Sequence, residues 1–282
     1  MNEPRVYRHS PFMLVLIVLI FGLLAVGMFV TLGQDDYYFL LPFGGIFVVI
    51  LLISLYSITL KTIISDTEIS TQSILSTKTL NWSEINRVSG RGNGIKLHNF
   101  DGNITVTPSP QLPGYEEVIE WIGIKRPDLF NPQEHSEMKR NWVNNILLLF
   151  VVLLLFAGFS GLTIFNSEPS EAWIPLVFFF IIGMVVLVAT LSSPQSVTMD
   201  GRSLLLKYVF NQSSLPADEI QSVELRNQRT RNGRVYFIVL NLTNGKSIRL
   251  SALNPSLPIA FLTLKNWHNK NAGNSLTNYT RI

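Results

Sequence analysis

The sequence predicts a membrane α+β protein: four transmembrane helices in two hairpins, each followed by a strand-rich cytoplasmic module that closes with one helix. Three observations lead there. The 282 residues are 47% hydrophobic and only 15% charged, against roughly 25% charged in an ordinary soluble domain. Four runs, 12–32, 39–60, 143–165 and 173–191, contain no Asp, Glu, Lys, Arg or His. At 1.5 Å rise per residue each reaches about 30 Å, the thickness of a hydrocarbon core. The order of hairpin and polar segment also occurs twice, as 12–60 with 61–138 and as 143–191 with 192–268, leaving 269–282 as a polar, Asn-rich tail.

The first run follows Arg5 and Arg8, which gives it the flanks of a secretory signal. A cleavable core spans only about 7–15 residues and ends at small side chains; this run continues through Phe29, Val30 and Leu32, so it reads as a retained helix. The turns inside the two hairpins carry Asp35 and Asp36, and Glu168 and Glu171, with no Lys or Arg. All 22 basic residues therefore fall on the other side, which is the positive-inside pattern. It predicts a multi-pass protein of the plasma (inner) membrane, with both termini and both modules cytoplasmic. The formal charge of +3 then separates into −4 in the outer turns and +7 inside.

The two polar segments read as copies of one another. At an offset of 135 residues Leu80, Glu84, Ile85 and Val88 meet Leu215, Glu219, Ile220 and Val223, the kind of self-similarity that marks an internal repeat. Within each copy, short β-prone runs alternate with turn dipeptides: strands are expected at 69–75, 94–98 and 104–107, and at 203–210, 235–242 and 247–250. In 203–210 the period-two face is Leu204, Leu206, Tyr208 and Phe210. Asn-Gly and Asp-Gly pairs beginning at 93, 101, 232 and 244 suit tight hairpins. One amphipathic helix ends each copy, with Tyr115, Val118, Ile119 and Ile122 as its stripe in the first and, less regularly, Ile259, Leu262 and Trp267 in the second.

A helical hairpin feeding a strand-rich module that carries Leu80-Asn81-Trp82-Ser83-Glu84-Ile85 or Leu215-Pro216-Ala217-Asp218-Glu219-Ile220 resembles the bacterial pleckstrin-homology-like (PH-domain-containing) integral membrane proteins. The resemblance covers almost the whole chain. It implies that each module is a PH-like β-barrel or sandwich with a C-terminal helix, and it carries no catalytic motif.

The chemistry-bearing residues point the same way. With no cysteine, thiolate metal sites, disulfides and cysteine nucleophiles are excluded. The four histidines, His9, His98, His135 and His268, share no metal-ligand spacing. Glu116, Glu117 and Glu120 suit the first turns of a helix, where the dipole favours acidic groups. Glu84 and Glu219, repeated before isoleucine, suit a turn or cap. The glycines of 89–94 lie between β-type runs, not before a helix as a phosphate loop requires. Ser54, Ser57, Thr59, Ser160 and Thr163 suit helix-to-helix hydrogen bonds, and Gly44, Gly45, Ala157 and Gly161 suit close helix packing. No catalytic residue, cofactor or metal site is expected.

The most informative polar feature is the segment holding Arg226, Arg229, Arg231 and Arg234. Residues 61–138 hold 7 basic and 10 acidic groups, whereas 192–282 hold 11 and 4. Three readings stand: a solvated basic loop, contact with anionic phospholipid or phosphate, and contact with an acidic protein partner or the acidic first module. Nucleic acid is disfavoured because no aromatic residue is interleaved with the arginines. The expected function is a non-enzymatic membrane protein whose modules make scaffold or assembly contacts with a protein partner or itself, or contact membrane lipids. The alternatives are anionic-lipid sensing by the second module, and an accessory subunit of a transporter or membrane enzyme.

Overall fold

The computed structural model describes residues 3–31, 37–141, 143–166, 173–231 and 233–272. Among them the chain forms four antiparallel sheets and six α-helices. It divides into two units. The first contains Met1–Gly90, Gly94–Leu129 and Arg229–Arg234, the second Arg91–Asn93, Phe130–Gln228 and Val235–Ile282.

One plan runs through the chain twice. The first copy is β1 (Arg5–Arg8), α1 (Pro11–Thr31), α2 (Tyr37–Thr59), β2 (Lys61–Ile64), β3 (Glu68–Gln72) and β4 (Thr77–Asn81), then a 3₁₀ turn at Trp82–Glu84, β5 (Ile85–Arg91), β6 (Gly94–Asn99), β7 (Thr105–Val106) and α3 (Tyr115–Lys125). The second is β8 (Glu137–Lys139), α4 (Val143–Asn166), α5 (Trp173–Leu191), β9 (Ser196–Asp200), β10 (Ser203–Lys207) and β11 (Gln212–Pro216), then a 3₁₀ turn at Ala217–Glu219, β12 (Ile220–Thr230), β13 (Gly233–Leu242), β14 (Ser247–Leu250) and α6 (Leu257–Asn271). The sheet orders match: β1-β2-β3-β4 and β5-β6-β7 in one copy, β8-β9-β10-β11 and β12-β13-β14 in the other.

Strands β1 and β8 extend the repeat beyond its sequence signal. Each precedes a helical hairpin and pairs antiparallel with the first strand after it, Arg5 opposite Ile64 and Glu137 opposite Thr198. Four and three residues rich in charge carry too little alternation to read as strands. The edges offered by β2 and β9 make them so.

Alternation sets the core. Ile95 and Leu97 of β6 are fully buried with Lys96 exposed between them, and Tyr236, Ile238 and Leu240 point inward from β13. Helix α3 buries the expected stripe of Tyr115, Val118, Ile119 and Ile122. Every residue from Leu257 to Leu264 of α6 is buried, which explains its irregular stripe: a helix covered on all sides needs no polar face. The expected strand at 203–210 stops at Lys207. Tyr208 donates its N–H to the Asn211 carbonyl at 2.7 Å, closing a turn that leaves Phe210 85% exposed.

The expected membrane class is corrected. The four apolar runs do form helices, α1, α2, α4 and α5. Among the described residues, no helix is long and apolar enough to cross a membrane. The four transmembrane helices, the multi-pass inner-membrane localisation and the cytoplasmic placement of termini and modules are set aside on that finding. The turns holding Asp35, Asp36, Glu168 and Glu171, and the tail beyond 272, lie outside the described residues.

The helix contacts also differ from expectation. A Cβ built on Gly44, Gly45 or Gly161 would meet nothing within 4 Å, whereas one on Gly183 of α5 would lie 3.7 Å from Val152 of α4. Helices α1 and α2 meet through the rings of Phe21 and Phe47, 4.7 Å apart. The hydroxyls of Ser54, Ser57 and Ser160 each donate to the carbonyl four residues back in their own helix, a local alternative to bonds between helices.

Candidate contact site

The long β12–β13 hairpin carries all four arginines, and the structure separates their roles. Arg226 lies two residues after Glu224 on the same strand face and pairs with its carboxylate at 2.7 Å. Glu224 also accepts from Ser222 Oγ at 3.0 Å and Asn241 Nδ2 at 2.8 Å. Burial pushes the Glu224 carboxyl up, but these hydrogen bonds and the Arg226 charge outweigh it and hold the group below the usual carboxylate range.

At the far end of the hairpin, residues 229–234 belong to the first unit. The Arg234 guanidinium donates to the Leu112 carbonyl at 2.7 Å, and its backbone N–H donates to Gln111 Oε1 at 3.1 Å. Gly233, with φ +120°, permits this approach: a Cβ there would stand 2.6 Å from Gln111 Oε1. Between Arg226 and Arg234, Arg229 and Arg231 are exposed and make no ion pair or hydrogen bond among the described residues. Asn232 lies outside the described residues. Of the four arginines, Arg226 is paired along its own strand, Arg234 holds the hairpin at Leu112, and Arg229 and Arg231 make neither kind of contact among the described residues. Gln111 and Leu112 carry no sequence signal for this role, because a carbonyl and an amide become a docking point only when the fold brings the hairpin to them.

A second polar cluster lies on β5, β6 and β7. His98 Nε2 is 2.7 Å from Ser89 Oγ and its Nδ1 3.1 Å from Thr105 Oγ1. Burial, with the charges of Arg87 and Lys96, lowers the His98 pKa, keeping the ring neutral near pH 7. Strand pairing creates this cluster, so the spacing of 89, 98 and 105 does not announce it. The other histidine the core engages is His268, whose Nε2 donates to the Ile220 carbonyl at 2.7 Å.

The matched carboxylates differ between the copies. Glu84 Oε2 accepts the backbone N–H of Asn81 at 3.1 Å, forming a capping box around the 3₁₀ turn. In the second copy Pro216 occupies the corresponding cap and has no N–H to give. In the glycine-rich segment, the Gly92 carbonyl accepts the N–H of Leu257 at 2.8 Å, so this turn tip serves as a cap for the start of α6. Among the described residues, no group of three or more His, Asp or Glu is placed to hold a metal ion.

Fold and site together define a duplicated α+β protein with a basic β-hairpin held at Arg234. No family model and no curated protein matches the chain.

Proposed function

We propose that the chain is a non-enzymatic contact protein with two modules of the PH-like kind, and that the tip of the β12–β13 hairpin engages an acidic protein partner. The observation that supports this reading is the division among the arginines. Arg226 and Arg234 are committed to Glu224 and Leu112, while Arg229 and Arg231 stay exposed. Two guanidinium groups beside a strand pair held at Arg234 lose less freedom on binding than they would on a mobile loop. Guanidinium also pairs with carboxylates through two parallel hydrogen bonds.

The test places a photoreactive amino acid at exposed Gln228, beside the tip, in the full chain expressed in cells. A defined protein crosslink that disappears in R229E/R231E supports the proposal. Crosslinks to lipid alone would replace it with anionic head-group contact, and no crosslink above background would overturn it.

A further inference from the structure

A cavity of about 140 Å³ opens in the first unit where the end of α2 meets β3, β4 and β7. Eight of its nine lining residues carry a polar side chain, although carbon atoms make up close to half of the exposed wall. Tyr56, Thr71, Gln72, Lys78 and Thr107 contribute side chains that make no hydrogen bond or ion pair among the described residues. Leu60 is the only aliphatic side chain in the lining, and no carboxylate lines it. Thr71 and Lys78 are direct partners in the β3–β4 register, which puts their side chains on one sheet face.

Two further hydroxyls in the wall are fixed in place. Thr105 Oγ1 is held by His98, itself held by Ser89. Ser73 Oγ accepts the backbone N–H groups of Leu75 and Ser76. The site thus combines two fixed hydroxyls with several unspent donors and one cation, of which Lys78 and Thr107 are exposed.

The C-terminal end of α2 carries about half a negative charge, which opposes an anion. Thr59 Oγ1 covers part of that end by donating to the Tyr56 carbonyl at 2.9 Å, and Lys78 brings a whole positive charge. The balance favours an anion. Size narrows the class: at about 30 Å³ per water, the cavity holds the volume of four or five water molecules. That suits a phosphate group, with its substituent leaving through the open side of the cavity.

We propose that this cavity binds the phosphate of a small phosphomonoester, with Lys78 as the counter-charge and Thr71, Gln72 and Thr107 as hydrogen-bond donors. The site is separate from the arginine hairpin and does not depend on its reading.

The test titrates the full chain with inorganic phosphate, with glycerol 3-phosphate, and with phosphatidylcholine vesicles with and without phosphatidic acid. Calorimetry serves the soluble probes and flotation the vesicles. Saturable binding at about millimolar or tighter is expected, weakened about tenfold or more by K78M and less by K78R. T107V, which retains every charge, should also weaken it. Lys78-dependent binding of glycerol 3-phosphate or inorganic phosphate assigns the phosphate to a free ligand, and the same dependence confined to phosphatidic acid vesicles assigns it to a lipid head group. No saturation by any probe, or binding untouched by both K78M and T107V, would overturn the proposal.

Discussion

Arg234 of the β12–β13 hairpin donates from Nη1 to the carbonyl of Leu112 at 2.7 Å, with the Gln111 amide oxygen accepting its backbone N–H beside it. A cation held at a partly buried carbonyl contributes about 1.5–3 kcal/mol. R234A is therefore expected to lower the denaturation midpoint of the full chain, whereas R229A and R231A leave it unchanged within about 0.5 kcal/mol. Urea titration of the three variants checks this. Equal effects would mean that the tip arginines are also structural.

Tyr7 gives an alkaline counterpart. Burial, with the nearby Glu117 charge, pushes its phenol up to about 12, above the ordinary value of about 10. The neutral phenol is thus favoured by the fold, so its contribution to stability is full below pH 10 and lost as pH rises toward 12. Y7F should remove that part of the alkaline decline, measured as denaturation midpoint against pH.

The Tyr7 ring also lies 3.0 Å from the position a Cβ on Gly114 would take, and Gly114 has φ +76°. G114A meets both the left-handed backbone and the ring, and a loss of about 1–3 kcal/mol is expected. In G114A/Y7A the steric part should disappear and the backbone part remain. Thermal unfolding of the two variants separates them.

Glu84 and Glu219 occupy equivalent positions with unequal consequences. E84A removes the acceptor for the Asn81 N–H and is expected to cost about 0.5–2 kcal/mol. E219A should cost less, since Pro216 offers no N–H to accept. Chemical denaturation of the pair provides the check, and equal losses would show that the box contributes nothing.

His98 is held neutral by burial, Arg87 and Lys96. Its NMR titration is expected below the usual histidine value of about 6.5, shifting upward in R87Q and K96Q. Because the folded value is lowered, the contribution to stability is present above about pH 6.5 and declines as pH falls below it. H98Q should show a shallower acid decline than the unsubstituted chain.

Periodicity and turn chemistry made much of this fold legible. The stripe of α3, the strands expected at 94–98, 235–242 and 247–250, and the turn expected at Glu84 and Glu219 are local patterns, whereas the strands β4, β5, β11 and β12 that flank those two turns were not expected. The expected elements read directly from side-chain spacing. The strand expected through Phe210 failed because alternation continued past a turn closed by the Tyr208 N–H and the Asn211 carbonyl. Strands β1 and β8 were invisible because their partners lie across a helical hairpin.

Sequence alone determined the duplication, the helical nature of the four apolar runs and the concentration of arginine in one hairpin, because each is set by residues near one another in the chain. It did not determine which arginines remain free, that Ser89, His98 and Thr105 meet, or that Lys78 faces a polar cavity. Those depend on backbone carbonyls and side chains brought together from distant strands. The same holds for the close approaches of Gln111 to Gly233 and of Tyr7 to Gly114, because no local pattern encodes an approach made by another part of the chain.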